Sequence, residues 1–258
     1  MNVRIRDFYM LLRYIRDFIF PRQCITCGNR LRIEEECICA SCYTNLPFTN
    51  YHLSKHNELE KMFWNTFPMQ RATSLLYYDE EYTRRIIHVL KYGKRPKVGF
   101  HLAQIYANEL KYLGFFEGID CIIPVPLHWK RQMRRGYNQS KYIADGISKV
   151  CGIKVYHDVI KRSVNNPSQT RLNHAQREEN VNGIFQLKKA HKIQGKHILL
   201  VDDVTTTGAT IASCSKELAK AGHVKISILT LAIAKNPSIQ FFDNDKSDGK
   251  MLEWHNLN

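Results

Sequence analysis

One short segment combines residue types that suit the binding of a phosphorylated sugar. Residues 198–210 read ILLVDDVTTTGAT, an apolar strand followed by two aspartates, a hydroxyl-rich turn with Gly208 and the start of a helix. Backbone N–H groups at a helix N-terminus bind anions, and threonine hydroxyls add donors for a phosphate. Asp202 and Asp203 suit two vicinal hydroxyls and, when charged, Mg²⁺. Helix capping alone explains one carboxylate and one hydroxyl, so we expect a ribose 5-phosphate site.

A second cluster of side chains is typical of a metal site. Five of the eight cysteines lie within residues 24–42, and two CxxC pairs stand 11 residues apart. The four cysteines of these pairs are Cys24, Cys27, Cys39 and Cys42. Four thiolates bind zinc and leave no position for a catalytic water, so we predict a structural zinc. Free core thiols or a redox pair are the alternatives, and Cys37 is an alternative ligand to Cys39.

Length and composition predict a folded protein that binds a negatively charged partner. The chain has 258 residues, of which 44% are apolar and 24% are charged, which is ordinary for a globular protein and argues against disorder. Lysine and arginine exceed the acidic residues by 38 − 24 = 14. This excess favours nucleic acid, a phosphorylated metabolite or acidic lipid without choosing among them. No stretch approaches the roughly 20 apolar residues of a membrane span, so we expect no transmembrane segment.

The first residues predict an amphipathic helix rather than a signal peptide. Residues 1–20 place Phe8, Leu11, Leu12, Ile15 and Ile19 at helical spacing and interrupt them with charges. Packing on the protein and docking on a membrane surface are both compatible with this pattern. With clustered thiols and no export signal, we expect a reducing, cytoplasmic location, peripheral to the inner face of the membrane if the helix docks there.

The remaining pattern alternates strands with helices. We expect strands at 72–78, 119–126, 153–160, 196–204 and 224–234 and helices at 82–92, 98–113, 139–150 and 208–222. Such alternation predicts a parallel sheet flanked by helices, with ligands bound beyond the carboxyl ends of the strands. No GxxxxGK[ST] or GxGxxG motif is present, which argues against a P-loop or dinucleotide-binding protein. The predicted divisions are an amphipathic helix 1–20, a zinc module 21–50, a connector 51–70, a main domain 71–236 and a polar tail 237–258.

At this point the chain resembles the type I phosphoribosyltransferases, through the acidic pair and the Thr-Gly turn. It is similar in particular to the ComF family of competence-associated proteins. The motifs that carry this resemblance are the two CxxC pairs, PVP at 124–126, RGYNQ at 135–139, a Gln…Arg…Asn segment and VDDVTTTGAT at 201–210. The resemblance implies an α/β fold of the type I phosphoribosyltransferase kind with a small N-terminal four-cysteine zinc module.

The resemblance also implies a site for 5-phosphoribosyl-1-pyrophosphate (PRPP) with Mg²⁺. The implied contacts are Asp202, Asp203, Val204, Thr205, Thr206, Thr207, Gly208, Ala209, Thr210, Val125, Pro126, Leu127, His128 and Arg135. Asp202, Asp203 and Arg177 are the expected catalytic residues, Arg177 in a polar segment that is either a closing loop or a surface linker. Two departures are Tyr137, where the family usually has Phe, and Thr206, where many hypoxanthine-type transferases have an acid.

A basic segment beside the expected site suits pyrophosphate or single-stranded nucleic acid. Residues 128–141 carry five formal positive charges and no acid, with aromatic residues between them. The expected nucleic-acid contacts are Trp129, Lys130, Arg131, Arg134 and Tyr137, and a plain solvated face is the alternative. Two functions stay open: a PRPP-binding protein of DNA uptake, with single-stranded DNA and, by resemblance, a competence helicase as partners, or an active transferase on an unidentified acceptor.

Overall fold

The computed structural model describes residue 14 and residues 16–78, 81–164 and 183–235. Its helices in these ranges are α1 (Ala40–Thr44), α2 (Glu58–Phe63), α3 (Glu81–Tyr92), α4 (Lys97–Tyr112), α5 (Trp129–Arg135), α6 (Gln139–Cys151) and α7 (Ala209–Ala219). Its strands are β1 (Met69–Tyr77), β2 (Cys121–Pro124), β3 (Ile160–Arg162), β4 (Phe185–Leu187), β5 (His197–Thr205) and β6 (Lys225–Ile233). Short 3₁₀ turns occupy Tyr51–Leu53 and Ala190–Lys192.

Four strands form one parallel sheet in the order β1-β6-β5-β2, and β3 pairs with β4 in a separate antiparallel hairpin. Parallel pairing brings the carboxyl ends of the four strands to one edge. The strand β2 pairs with β5 so that Pro124 lies opposite Val201, and the residues that follow each strand therefore emerge side by side. This topology confirms the predicted α/β fold.

Helices cover both faces of the sheet, which explains the unbroken apolar run of β5. Leu199 and Val201 pack into one core with the buried residues of α3, α4 and α6. Ile198 and Leu200 point to the opposite face and pack with α2 and α7. Because both faces of β5 are buried, its register fixes the position of the two aspartates that end it.

The cysteine-rich segment packs on the first of these cores and is joined to the edge of the sheet. Buried Ile25 and Leu31 belong to the same apolar cluster as α3 and α4. Phe48 bridges Leu76 of β1, and the Arg85 guanidinium of α3 donates to the carbonyl of Thr26 at 2.7 Å. The small module is therefore attached to the main sheet by apolar and polar contacts.

Three parts of the fold differ from the sequence-based expectation. The predicted strand 153–160 is wrong: only Val155 bridges the short edge strand β2, and β3 begins at Ile160. Residues 51–70, predicted as a connector, contain α2, whose Leu59 and Phe63 are fully buried. The basic segment after β2 folds into the unpredicted helix α5, which starts at a His128 cap and ends at Gly136 in the left-handed region.

The N-terminal helical residues pack in an unexpected orientation. Asp17 is buried and accepts from the guanidinium of Arg22 at 2.8 Å, whereas Ile19, expected on the packed apolar face, is 60% exposed. The other residues of the predicted apolar stripe, and the tail 237–258, lie outside the described residues. Within the part of the chain that the structure describes, no helix has the length and apolar character needed to cross a membrane.

Candidate functional site: a carboxylate cavity at the carboxyl edge of the sheet

A cavity of about 180 Å³ opens where β5 and β2 end. The residues that line it come from both strand ends and from α3, α5, α6, α7 and β3. They are Lys91, Val125, Pro126, Leu127, Arg131, Arg135, Asn138, Gln139, Ser140, Arg162, Asp202, Asp203, Val204 and Thr210. The cavity lies at the carboxyl edge of a parallel sheet, which is where ligands of α/β proteins bind.

The two aspartates at the end of β5 are buried in its wall. Oδ1 of Asp202 accepts from the hydroxyl of Ser140 at 2.8 Å and from the N–H of Asp203 at 2.8 Å. Oδ1 of Asp203 accepts from the N–H of Val204 at 2.7 Å, and its Oδ2 lies 3.4 Å from Nζ of Lys91. Among the described residues, Oδ2 of Asp202 accepts no hydrogen bond and is available to a ligand, whereas Oδ2 of Asp203 is paired with Lys91.

Burial and mutual repulsion set the protonation of this pair. Burial, followed by the charge of Asp203, raises the pKa of Asp202 to about 7, although the Ser140 hydroxyl and Lys91 oppose the shift. One carboxyl of the pair is therefore partly protonated near neutral pH. A cation or two hydroxyl donors at this position favour the fully ionised pair.

Three buried donor atoms on residues that line the cavity have no partner among the described residues. They are Nε of Arg135, Nε2 of Gln139 and Nε of Arg162. Arg135 and Gln139 are held by one another, because Nη1 of Arg135 donates to Oε1 of Gln139 at 3.0 Å. The guanidinium of Arg162 stacks on the ring of Phe185 at 5.4 Å. Buried donors without a partner are costly, so their clustering here indicates a place for an acceptor-rich ligand.

The cavity also holds more positive than negative charge. Its lining contains the cations Lys91, Arg131, Arg135 and Arg162 and only two carboxylates. Burial, and then the charge of neighbouring Arg131, lowers the pKa of Arg162. Excess buried positive charge is unfavourable without a counter-charge, so the site suits an anion of more than one charge that also offers groups to the aspartates.

The turn after β5 is arranged around Gly208. This residue has φ +74°, and an added Cβ would lie 2.6 Å from Sδ of Met62 and 2.8 Å from the Phe63 ring. The turn is thus closely covered by α2, and Gly208 is required both for its backbone conformation and for this contact. Val204 and Thr210 line the cavity, whereas Thr205 is buried and Thr206 is exposed. Thr207 and Ala209 are half-buried and do not line it.

The RGYNQ motif explains how the loop after β2 is positioned. Gly136, with φ +84°, ends α5, and Asn138 donates to the carbonyl of Val125 at 3.0 Å while its own side chain caps α6. Arg135 and Gln139, on either side, enter the cavity. The motif therefore connects two helices and places its first and last side chains at the end of the sheet.

Two predicted contacts have structural roles instead. The side chain of Tyr137 is buried and its hydroxyl donates to the carbonyl of Leu90 at 2.5 Å, so its predicted contact with nucleic acid is wrong. His128, predicted in the pyrophosphate loop, is buried, and its Nδ1 accepts from the N–H of Lys130 at 3.3 Å. Its imidazole therefore caps α5 and does not line the cavity, unlike its neighbours Val125 to Leu127.

The other residues of the basic segment divide between the cavity and the surface. Arg131 lines the cavity and belongs with the site rather than with an outer track. Trp129 is 58% exposed, and Lys130 and Arg134 are exposed beside it. Arg177, a predicted catalytic residue, lies outside the described residues.

Sequence reasoning missed Lys91, Gln139, Ser140 and Arg162 as individual site residues. Lys91 and Arg162 are separated from the acidic pair by long stretches of chain and reach it through α3 and the β3–β4 hairpin. Only Gln139 stands in a motif that the sequence singled out. The other three carry no local signal, because a lysine near a helix end and an arginine in a short strand are common on surfaces.

The second site is the cysteine cluster. The Sγ atoms of Cys24, Cys27, Cys39 and Cys42 all lie within 4.8 Å of one another. Sγ of Cys27 and Sγ of Cys39 are 3.8 Å apart. A tetrahedral ion with Zn–S bonds of about 2.3 Å places its sulfurs about 3.8 Å apart, so the cluster fits zinc. Cys37 is buried outside it, so the four clustered residues are those of the two CxxC pairs.

Several curated proteins are similar to this chain. DNA utilization protein YhgH of Escherichia coli K12 is 28% identical over 211 residues, covering 81% of this chain and 88% of the relative. Competence protein F of Haemophilus influenzae is 26% identical over 225 residues, covering 83% and 98%. Competence protein ComFC of Bacillus subtilis is 32% identical over 106 residues, covering 40% and 41%. These names confirm the resemblance to the ComF family.

The family comparison covers most of the sheet and the cavity. The Phosphoribosyl transferase domain matches residues 96–255, more than half of the 258 residues. This range includes β2, β5 and β6 and both aspartates. The chain therefore belongs to the phosphoribosyl transferase domain family.

Proposed function

We propose that the cavity binds PRPP together with Mg²⁺. The observation that carries the proposal is the set of three unpartnered buried donors, on Arg135, Gln139 and Arg162, in the same lining as two buried carboxylates. PRPP offers both kinds of group that this arrangement lacks: phosphoryl oxygens for the donors and two vicinal hydroxyls for the acids.

The parts of the ligand can be assigned to parts of the site. Asp202 and Asp203 accept from the ribose hydroxyls, and the turn 204–210 takes the 5-phosphate with its N–H groups and hydroxyls. The loop after β2 and Arg135 take the pyrophosphate. Mg²⁺ prefers oxygen ligands, and the carboxylates of Asp202 and Asp203 would hold it, where it would neutralise charge on the pyrophosphate.

The four-cysteine cluster is proposed to hold one structural zinc. Cys24, Cys27, Cys39 and Cys42 fill all four positions of a tetrahedral ion, so no position is left for a substrate or a reactive water. Burial alone would raise the pKa of Cys24, but hydrogen bonds from the N–H groups of Cys27, Cys39 and Thr26 outweigh it and lower this pKa to about 6. The same hydrogen bonds favour a thiolate, which is the form that binds zinc.

Binding and turnover are separate parts of the proposal. In a transferase, an acceptor attacks C1 of the ribose, the bond from C1 to the pyrophosphate oxygen breaks, and the acceptor's proton passes to a base. Thr206, at the position where many hypoxanthine-type transferases have an acid, cannot take that proton. We therefore propose PRPP binding as the function of the cavity, in a protein with a role in competence or DNA utilization, the words that the names of its relatives contain. We further propose, from the resemblance to the ComF family, that this role is in DNA uptake.

Titration calorimetry tests the binding proposal. Wild-type protein with Mg²⁺ is expected to bind PRPP, and the double variant Asp202→Asn, Asp203→Asn is expected to bind at least about 100-fold more weakly, because hydrogen bonds to charged groups contribute roughly 1.5–3 kcal/mol each. A control with the same charge change at exposed Glu34→Gln and at Asp145→Asn should bind as the wild type does. Equal affinity in the Asp202 and Asp203 variant, or no binding by the wild type, would contradict the proposal.

A second measurement separates a binding protein from a transferase. Release of pyrophosphate is followed after mixing protein, PRPP and Mg²⁺ with nucleobases and amines. Release that requires an acceptor and disappears in the Asp202 and Asp203 variant identifies an active transferase. Binding without release identifies a protein that uses PRPP as a ligand.

A further inference from the structure

The end of α3 contacts both kinds of charge in the carboxylate cavity. Nζ of Lys91 lies 3.4 Å from Oδ2 of Asp203. The ring of the next residue, Tyr92, lies 5.3 Å from the guanidinium carbon of Arg135. Two neighbouring residues of one helix therefore contact an acid and a base that line the same cavity.

Other contacts hold the backbone at the end of α3 in place. The side chains of Ile86, Ile87 and Leu90 are buried in the core that α3 shares with α4 and α6. The carbonyl of Leu90 accepts from the hydroxyl of Tyr137 at 2.5 Å. The backbone of Lys91 is therefore fixed beside the cavity, and the part that is left to move is its flexible four-carbon side chain.

The contact between Lys91 and Asp203 is an ion pair without a close hydrogen bond. Charge-assisted N–H···O bonds are about 2.7–2.9 Å long, whereas this N···O distance is 3.4 Å. The Lys91 side chain is also 23% exposed, compared with 12% for the side chain of Asp203. The ammonium therefore neutralises the carboxylate without being locked to it, and a stronger acceptor can draw it away.

The position of Lys91 determines how a divalent cation meets the acidic pair. Asp202 and Asp203 are the two carboxylates of the cavity lining, and the ammonium of Lys91 stands at one of them. With its four cations, the lining has a formal charge of 4 − 2 = +2 before a ligand enters. Like charges repel, so a divalent cation that enters alone meets both this excess and the ammonium itself. A ligand with several negative charges reverses the balance.

We propose that Lys91 takes the place of the divalent cation at Asp203 while the site is empty. When PRPP and Mg²⁺ bind together, the ammonium moves to the phosphoryl oxygens and leaves the carboxylate to the metal. These oxygens are within reach of the same helix end, because Tyr92 contacts Arg135, to which we assign the pyrophosphate. The site thus admits the metal with PRPP and excludes the metal alone. The inference rests on the proposed binding of PRPP with Mg²⁺.

Binding of Mn²⁺, a paramagnetic substitute for Mg²⁺, tests the inference in the full-length protein without PRPP. Electron paramagnetic resonance measures the Mn²⁺ that stays in solution. Lys91→Met keeps the apolar side chain and removes the charge, so it is expected to bind Mn²⁺ at least about tenfold more tightly than the wild type. Lys91→Arg keeps the charge and should bind Mn²⁺ no more tightly than the wild type does.

Two controls show where a gain in Mn²⁺ affinity originates. Lys94→Met removes the same charge three positions further along the chain, at an exposed residue that does not line the cavity. This control should bind Mn²⁺ as the wild type does. The triple variant Lys91→Met, Asp202→Asn, Asp203→Asn should lose the gain, because the carboxylates that hold the ion are gone.

Calorimetry with PRPP and saturating Mg²⁺ tests the second position of the ammonium. Lys91→Met should bind PRPP about threefold to tenfold more weakly than the wild type, because the lost contact with a phosphoryl oxygen is only partly offset by relief of the ion pair with Asp203. Lys91→Arg should retain most of the affinity. A residue that serves only the fold would not raise Mn²⁺ affinity and lower PRPP affinity in one variant.

Three results with Mn²⁺ would overturn the inference. They are unchanged affinity in Lys91→Met, an equal gain in Lys94→Met, and a gain that persists without the two aspartates. Unchanged or higher PRPP affinity in Lys91→Met would also overturn it, because the ammonium would then have no role at the phosphoryl oxygens. Absence of PRPP binding by the wild type would instead contradict the proposed function of the cavity, and the Mn²⁺ measurements would still decide whether Lys91 occupies the metal position.

Discussion

The cysteine cluster and the carboxylate cavity differ in how far the protein itself satisfies their reactive groups. In the cluster, four sulfurs from residues 24–42 face one another and leave no further ligand position. In the cavity, residues from two strand ends and five further elements meet. Among the described residues, three buried donors and Oδ2 of Asp202 are left without a hydrogen-bond partner. The first arrangement suits a structural role, and the second suits a ligand that arrives and leaves.

Because of this difference, we expect a substitution in the cysteine cluster to destabilise the fold more than a substitution in the cavity. Cys39→Ser removes one of four ligands, and we expect loss of bound zinc and unfolding of the small module, since structural zinc contributes about 10–16 kcal/mol to the folding of small domains. Elemental analysis and thermal unfolding measure the two effects. Cys37→Ala is the matched control, because Cys37 is buried two positions away but lies outside the cluster. Stoichiometric zinc in Cys39→Ser and loss of zinc in Cys37→Ala would reverse the assignment.

For the carboxylate cavity, we expect a substitution to weaken ligand binding without lowering the stability of the fold. Arg162→Gln removes a cation that burial and Arg131 disfavour in the unliganded protein. We expect PRPP affinity to fall about tenfold or more, because a charge-assisted hydrogen bond is lost, while the melting temperature stays the same or rises. Calorimetry and thermal unfolding measure these quantities.

A matched control for Arg162 is available at the other side of the sheet. Arg71 also stacks on a phenylalanine ring, Phe115, at 5.4 Å, and donates to the carbonyl of Glu117 at 2.6 Å. Arg71→Gln should leave PRPP affinity unchanged and should not raise the melting temperature. A lower melting temperature in Arg162→Gln with unchanged affinity would show that Arg162 is only a structural residue.

The sequence identified the residues of a site only where those residues lie close together along the chain. The CxxC spacing identified all four cluster residues, and the strand followed by DDVTTTG identified the acidic pair, because in both cases the chemistry lies within a few residues. Lys91 and Arg162 could not be found in this way, since only the packing of α3 and the hairpin brings them to Asp203 and Asp202. The direction of a side chain was equally hidden: Tyr137 stands in a basic aromatic segment but points into the core.

The acidic pair predicts that ligand affinity depends on pH. The pKa of Asp202 is raised to about 7 by burial and then by Asp203, while Lys91, Ser140 and the nearby Arg162 favour its charged form. Because hydroxyl donors and Mg²⁺ bind the ionised pair, we expect PRPP affinity to rise by up to about tenfold per pH unit below 7 and to level off above it. PRPP itself also gains and loses protons in this pH range. The slope of PRPP affinity against pH is therefore compared between the wild type and Asp202→Asn, and we expect a shallower slope in the variant.

The raised pKa of Asp202 also predicts how the stability of the unliganded protein depends on pH. The folded state binds a proton at Asp202 more tightly than the unfolded chain does, so between about pH 4 and 7 it holds more protons. This contribution to the free energy of unfolding is favourable at low pH and is lost as the pH rises through about 7. In Asp202→Asn, stability should decline less over this range, as measured by urea unfolding. An unchanged pH dependence in the variant would contradict the assignment of this pKa.

The smallest expected effect is that of Tyr137→Phe, which tests whether Tyr137 is a core residue or a surface contact for DNA. Tyr137→Phe removes the hydrogen bond to the carbonyl of Leu90 and keeps the ring, so we expect a loss of about 1 kcal/mol in the free energy of unfolding. DNA affinity and PRPP affinity should stay within the error of the wild type, because the hydroxyl faces the core. Trp129→Ala is the comparison: its side chain is largely exposed, so it should leave stability unchanged. If Tyr137→Phe weakened DNA binding without affecting stability, the hydroxyl would have to reach the surface, and the separation between the buried motif and the exposed face of α5 would be wrong.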